Sequence, residues 1–239
     1  MKTLLILSTM LYMTENPSIN VAKPTSFNGF AKEVSTHKLL YEEVHTEIYS
    51  ADKHNKTETK FLDENKKIIA SRILDFSNSM ISPQYSLEDH RTGAYEAVTN
   101  RSGKFLIQYK ENRDAETISE SITVPDPAVV DGGFNYFVKS KWNQLMQGET
   151  VGFNYISTAR QEYYRFQLTI DKSSSNRSSN LVLVKMEPTN YFLRALLDPI
   201  YITYNKNTRR IVQYSGISNI KDKEGKTQVA VLTYPTVGP

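Results

Sequence analysis

Most of this chain alternates hydrophobic and polar residues, the pattern of β-strands that bury one face. The clearest case is residues 163–170, where the even positions from Tyr164 to Ile170 are all hydrophobic and the odd positions are mainly polar. Turn signals such as Asn100–Gly103 separate the alternating segments, as in an antiparallel meander. About a dozen strands are predicted, the best defined being 39–50, 67–76, 104–111, 116–124, 149–157, 163–170, 181–187, 199–205, 209–220 and 227–234.

One segment, 131–148, has helical periodicity instead. Its apolar residues recur at the spacing of one helix face, and Gly148 stands where a left-handed cap would end the helix. The helix begins either at Pro127, with Asp126 as N-cap, or at Asp131, and the pair Gly132-Gly133 favours the later start. Asp126 and Asp131 are therefore interpreted as helix caps. The apolar stripe consists of Phe134, Phe137, Val138, Trp142, Leu145 and Met146.

A second, shorter helix is predicted over 189–198, with Thr189 or Asn190 as N-cap and Pro199 beyond its end. Residues 23–37 contain Pro24 and an Asn-Gly turn signal and are predicted to be an irregular lead-in. Alternating βαβ units are absent, which argues against a nucleotide-binding α/β fold. The fold class is mainly β (α+β): one domain over 38–239 with a large curved antiparallel sheet or half-barrel and two helices on its concave side.

The first 22 residues have the layout of a secretory signal peptide, because Lys2 is followed by an apolar run too short to span a bilayer. Cleavage is expected after Ala22, which predicts a periplasmic or secreted protein with no membrane-spanning segment in the mature chain. The alternative is that this segment is an N-terminal helix or strand of the domain.

Composition narrows the classes of function. The formal net charge of the 239 residues is +3 and the basic residues form no long run, so a nucleic-acid partner is not expected. The chain has no cysteine, which excludes disulfides, thiolate nucleophiles and cysteine-ligated metals. Its content of hydrophobic residues, 39%, suffices for a large core.

Motifs for chemistry are sparse. There is no glycine-rich phosphate loop, no nucleophile elbow and no zinc-protease helix, and the four histidines are not spaced as ligand pairs. The densest polar cluster is Glu88–Arg91, which is either an acid/base site or a turn held by its own hydrogen bonds. No catalytic residue, metal or cofactor is assigned from the sequence.

Hydrophobic side chains suggest a different activity. The apolar helix stripe and the aromatic strands either pack on one another as core or line a groove that a curved sheet leaves open. The second reading gives a binding site for an apolar small molecule, lipid or acyl chain. Its candidate lining residues are Phe137, Trp142, Phe153, Tyr155, Tyr164 and Phe166.

Several stretches of the chain resemble a functionally uncharacterised family of exported proteins from Gram-negative bacteria. They are RILDFS, YSLEDHRTGAYE, PDPAVVDGGFNYFVKSKW, FNYISTARQEYYRF and LLDPIYITYNKNTRRIVQYSGISNI, and the resemblance covers most of residues 38–235. It implies no activity. More distantly, the chain is similar to the half-barrel of periplasmic lipoprotein carriers, which implies a curved sheet that holds helices in its concavity and shields an apolar cavity.

The leading hypothesis is therefore a non-enzymatic periplasmic protein that binds an apolar ligand. Two rivals remain: a hydrolase-like enzyme that uses the Glu88–Arg91 loop, and a protein-interaction module that uses sheet edges or the polar loop 173–179.

Overall fold

The computed structural model of the protein describes residues 24–172 and 180–235, so the predicted signal peptide and the loop 173–179 lie outside the described residues. Fifteen strands form one curved sheet, which confirms the predicted fold class. The strands are β1 Thr25–Glu33, β2 Leu39–Ser50, β3 Lys53–Leu62, β4 Ile68–Asp75, β5 Gln84–Asp89, β6 Ala94–Arg101, β7 Lys104–Lys110, β8 Ile118–Thr123, β9 Ala128–Val129, β10 Val151–Ser157, β11 Glu162–Ile170, β12 Leu181–Pro188, β13 Ile200–Asn205, β14 Ile211–Ile217 and β15 Val229–Thr233.

Strand order in the sheet follows the chain in two arms that meet in the middle. From one edge the order runs from β8 back to β1, continues to β15, and runs back to β9 at the other edge. Every pair is antiparallel except β9 with β10, which is parallel. The first and last strands are therefore bonded to each other at the centre of the sheet, and its two free edges, β8 and β9, are close in sequence.

The sheet rolls up so that its β9–β10 edge lies inside the opposite arm. Ala128 and Ile156 pack in the same buried cluster as Phe105 and Ile107 of β7. Phe153, which points to the other face of β10, belongs to a second buried cluster around the helices. Both faces of this edge are thus buried, and the interior is divided into two apolar clusters.

Three short helices interrupt the strands: α1 Gly133–Ser140, α2 Trp142–Met146 and α3 Tyr191–Leu196. The single helix predicted over 131–148 is broken at Lys141, whose backbone has φ −101° and ψ 10°. Its N–H bonds both the Phe137 and the Val138 carbonyls at 3.1 Å, so the helix tightens and ends there. Gly148, with φ +86°, closes α2 as the sequence predicts.

The helix α1 and the helix α2 fill the concave side of strands β10–β13. Phe137 and Leu145 are fully buried against this part of the sheet, whereas Met146 of the predicted stripe is 38% exposed. Helix α1 begins at Gly133, near the later of the two predicted starts. At this point the chain passes very close to the loop after β4. A Cβ on Gly133 would stand 2.2 Å from the Ile81 carbonyl oxygen.

Two parts of the sequence-based description need correction. The lead-in predicted to be irregular over 23–37 contains β1, which pairs with β2 and β15. Pro127 follows a cis peptide bond and leads into β9, so Asp126 does not cap a helix.

The second predicted helix forms as α3, capped by Asn190, but none of its residues is buried. Only α1 and α2 pack on the concave side. Within the described ranges, no helix has the length and hydropathy needed to cross a bilayer.

Leu145→Ala is expected to lower the free energy of unfolding by about 2–5 kcal/mol, since it leaves a cavity where α2 meets the sheet. The neighbouring variant Met146→Ala should change it by about 0.5 kcal/mol at most, as surface substitutions usually do. Urea denaturation followed by tryptophan fluorescence measures both. Equal effects of the two variants would show that α2 does not stabilise the protein by packing against the concave side of the sheet.

Candidate functional site

A row of inward-facing side chains crosses the first arm of the sheet and includes several of its buried polar groups. The pairing register places His45 opposite Thr59, and Thr59 opposite Arg72. It continues through Leu87 of β5 to Glu96 of β6. Side chains opposite one another on one face are in contact range, so the register alone aligns these groups.

Hydrogen bonds link the row from Arg72 through Thr59 and His45 to Glu43, whereas the apolar Leu87 separates Arg72 from Glu96. Arg72 Nη2 donates to Thr59 Oγ1 at 3.4 Å, and Thr59 Oγ1 lies 3.0 Å from His45 Nδ1. His45 Nε2 lies 2.8 Å from Glu43 Oε2, which also accepts a hydrogen bond from the Tyr234 hydroxyl at 2.9 Å. Arginine can only donate, so the Thr59 proton is free for Nδ1 and the Nε2 proton serves the carboxylate.

Asp131 connects the row to the β9–β10 edge of the sheet. Arg72 Nη1 donates to Asp131 Oδ1 at 3.1 Å, and the two side chains are 12% and 6% exposed. The same carboxylate accepts from the Gly132 N–H at 2.7 Å and from Asn219 Nδ2 at 2.8 Å. Asp131 adopts φ +37°, a left-handed backbone that Asp tolerates better than most residues.

Charge on these groups is maintained by their partners. Burial opposes charge on Arg72, but the carboxylates of Asp131 and Glu43 outweigh it and raise the pKa of the guanidinium. Burial also opposes charge on Glu43, and alone it would raise the pKa of this carboxyl. Hydrogen bonds from His45 and Tyr234 and the charge of Arg72 hold that pKa below its usual value.

Glu96, at the end of the row, is held differently. Burial raises the pKa of its carboxyl, a hydrogen bond from Thr158 only partly offsets this, and the negative charge of Asp131 adds to the rise. Glu96 and Asn219 both line a depression of about 30 Å³, which has room for about two water molecules. The polar row therefore meets the surface through a gap too small for an organic ligand.

The polar groups of the row are hydrogen-bonded to one another or to neighbouring groups of the protein. Each charged group has an internal partner, and only the Arg72 Nε, among the atoms of these groups, is buried without one. No group of three or more His, Asp or Glu side chains placed to hold a metal ion occurs in residues 24–172 and 180–235. We conclude that the row stabilises the roll.

The Glu88–Arg91 loop has the geometry of a turn held by its own hydrogen bonds. The Arg91 guanidinium bonds both oxygens of Asp89, at 3.0 and 2.6 Å, and also the Lys221 carbonyl at 2.7 Å. Glu88 points outward and is exposed. The Asp89–Arg91 pair thus fastens this turn to the segment that follows β14.

The six residues predicted to line an apolar site lie on neighbouring elements. Ring contacts join Phe137 to Phe153 (5.1 Å between centroids), Phe153 to Phe166 (6.0 Å) and Phe166 to Tyr155 (6.1 Å). Tyr164 is paired with Tyr155 across the two strands. The sixth, Trp142, lies in the same cluster.

These residues differ in burial. Phe137, Trp142 and Phe153 are at most 5% exposed and are packed as core. Tyr155, Tyr164 and Phe166 are half-buried. A shallow depression of about 340 Å³ lies elsewhere, beside Val34 and Val229, and neither it nor the small depression at Glu96 is lined by any of the six.

Comparisons with known proteins found a similarity to a solved structure. No protein-family model matches the chain, and no curated protein matches it. Among solved structures, it is similar to a β-barrel-like protein of the domain of unknown function DUF1849 from Brucella abortus. The TM-score is 0.43 and the sequence identity 8%, with 88% of this chain and 94% of that chain covered.

The polar row was missed from the sequence, where Asp131 was interpreted as a helix cap. In the structure the N-cap of α1 is Gly132, which makes no side-chain cap, and Asp131 pairs with Arg72 instead. The partners are 59 residues apart, and they meet only because of the strand register together with the curvature of the sheet. The one signal present is that Arg72 shares its strand face with the hydrophobic residues Ala70 and Leu74, by alternation.

Asp131→Ala is expected to lower the free energy of unfolding by about 3–5 kcal/mol, because it leaves the Arg72 guanidinium buried without its carboxylate. Lys223→Met, which breaks the exposed Lys223–Glu224 pair, is the matched control and should cost about 1 kcal/mol or less. Urea denaturation measures both. A loss for Asp131→Ala no larger than the control's would contradict the anchoring role.

Glu96→Gln is expected to stabilise the protein increasingly as pH rises. Because the folded-state pKa is raised, the stability contributed by protonated Glu96 is present at low pH and is lost as pH rises through that pKa. Glutamine has no such loss. Unfolding free energies between about pH 4 and about pH 8 test this against the exposed control Glu88→Gln; a constant difference between wild type and Glu96→Gln would refute it.

Proposed function

We propose that the protein binds a lipid or another apolar molecule without altering it chemically, in the periplasm. The observation that carries this proposal is the gradient of burial along the concave face of β10 and β11. On β10, Phe153 is 1% exposed and Tyr155, two residues further on, is half-buried. On β11, Leu168 is 0% exposed, whereas Phe166 and Tyr164 on the same face are half-buried. Aromatic surface is thus left partly uncovered toward the end of the face where Tyr155 and Tyr164 are paired.

In the proposed site, the ligand contacts Tyr155, Tyr164 and Phe166. Phe137, Trp142 and Phe153 form the packed floor beneath these side chains. Binding would be driven by removal of apolar surface from water, at about 25 cal/mol per Å². The ring contacts from Phe137 through Phe153 to Phe166 keep the half-buried aromatic groups in place, which limits the entropy lost on binding.

The two faces of β11 provide a matched pair of variants. Tyr164 points to the concave face, while Tyr163 points to the convex face and is 39% exposed. Both are tyrosines on one strand, so substitutions to serine remove the same apolar groups from opposite faces. Tyr164→Ser also removes a hydroxyl that donates to Glu162 Oε1.

Purified protein is expected to bind a fluorescent fatty acid, and Tyr164→Ser should weaken binding about tenfold, the effect of losing about 1.4 kcal/mol of contact energy. Tyr163→Ser should bind as the wild type does. Fluorescence titration gives the dissociation constants, and mass spectrometry of an organic extract detects lipid that copurifies. No titratable binding together with a clean extract would refute the proposal.

A further inference from the structure

The helix α3 exposes apolar side chains to a degree unmatched in the described part of the chain. Tyr191 and Phe192 are each 77% exposed and Leu196 is 80% exposed, while the C-cap residue Leu197 is 40% exposed. No other large apolar side chain in residues 24–172 and 180–235 is more than 51% exposed. Large adjacent apolar side chains left in water mark a surface for interaction.

This helix is a fixed element. Asn190 Oδ1 accepts hydrogen bonds from the N–H groups of Phe192 (2.9 Å) and Leu193 (3.3 Å). Arg194 donates from Nε to the Pro188 carbonyl at 3.1 Å and from Nη2 to the Thr189 carbonyl at 3.3 Å. The apolar side chains are therefore held away from the sheet by specific bonds at the base of the helix.

The helix also stands at the open end of the proposed ligand site. Pro188, the last residue of β12, pairs with Phe166, and the chain then bonds the Arg165 carbonyl through Thr189. The exposed tip is thus continuous with the end of the sheet where Tyr164 and Phe166 are half-buried.

We propose that α3 inserts its apolar tip into the surface of an acidic phospholipid bilayer, where, if the proposed function holds, it places the ligand site next to the lipid. Successive helix residues are about 100° apart, so the apolar positions Tyr191, Phe192 and Leu196 cover a broad arc and not a narrow seam. A fluid interface surrounds such a tip, whereas a protein groove takes one face of a longer helix.

Charge at the base of α3 fits the same partner. Arg194 on the helix, Arg165 beside it and Arg160 in the turn before β11 lie at this end of the sheet. The acidic residues there are Glu162, Asp198 and Glu187, and Glu187 pairs with Arg194 at 3.9 Å and with Lys185 at 2.7 Å. With Lys185 counted, four basic residues stand against three acidic ones, which leaves an excess of one positive charge. Arginines below an apolar tip lie at the depth of lipid phosphates, so acidic lipids should strengthen binding modestly.

Flotation with vesicles of phosphatidylcholine, alone or mixed with phosphatidylglycerol, tests the proposal on the full mature chain. Wild-type protein should float with the mixed vesicles more than with phosphatidylcholine alone. The double variant Phe192→Glu with Leu196→Glu should bind the mixed vesicles at least about tenfold more weakly, since it replaces most of the inserted apolar area with charge. Ile118→Glu, at a residue 49% exposed on the edge strand β8, is the control and should bind like the wild type.

The same proteins are titrated with the fluorescent fatty acid in solution, which separates this proposal from the proposed function. Loss of vesicle binding in the double variant with fatty-acid binding unchanged supports a docking role for α3. Wild-type protein that binds the fatty acid but not vesicles overturns the docking proposal and leaves the proposed function standing. Vesicle binding without fatty-acid binding refutes the ligand site and keeps α3 as a membrane contact. Equal vesicle binding by wild type and double variant overturns the proposal, as does a stable protein complex formed through α3 in place of vesicle binding.

Discussion

The buried ion pair between Arg72 and Asp131 is the interaction on which the rolled sheet depends. It joins β4, in one arm, to the segment between β9 and α1, at the edge of the other arm. Antiparallel pairing builds each arm from neighbours in sequence and joins the arms through β1 and β15, but it does not fix where the β9–β10 edge lies. The ion pair, with the apolar contacts of Ala128 and Ile156 around it, sets where the β9–β10 edge lies inside the roll.

A charged pair is a costly way to close a core, since both groups lose water. The structure offsets this cost by giving the Asp131 carboxylate three donors and by linking Arg72 through Thr59 and His45 to Glu43. Gly29 completes the arrangement, because a Cβ there would stand 2.6 Å from the Tyr234 ring that reaches Glu43. A charged pair also specifies one position of the edge, which apolar contacts alone would not do; we regard this as the reason for its presence.

Local pattern explains what the sequence could and could not predict. Strands such as β7 and β11 were found within a residue or so because alternation is a local property, and α3 was found with its cap. The strand β1 was missed because Asn28-Gly29 has the composition of a turn. In the fold, Asn28 bonds Glu42 across the strand pair and Gly29 makes room for Tyr234. The Arg72–Asp131 pair could not be predicted, since it depends on the register of several strands and on how the sheet rolls.

The same features connect fold and proposed function. The helix pair α1–α2 fills the interior, so a ligand would meet the half-buried aromatic end of β10 and β11 instead of a deep cavity. The exposed helix α3 stands beside that end. The buried core around α1 and α2, the half-buried aromatic residues of β10 and β11, and the exposed helix α3 follow one another in space. We regard this arrangement as suited to apolar molecules taken up at a surface.

Hydrogen–deuterium exchange of wild type and Asp131→Asn tests most directly the claim that this pair holds the roll. Asparagine preserves the shape and the left-handed backbone of Asp131 but removes its charge. We predict faster exchange in β9, β10 and α1, with β1, β14 and β15 protected as in the wild type. Unchanged exchange in β9, β10 and α1, or a uniform increase over the whole sheet, would contradict the account.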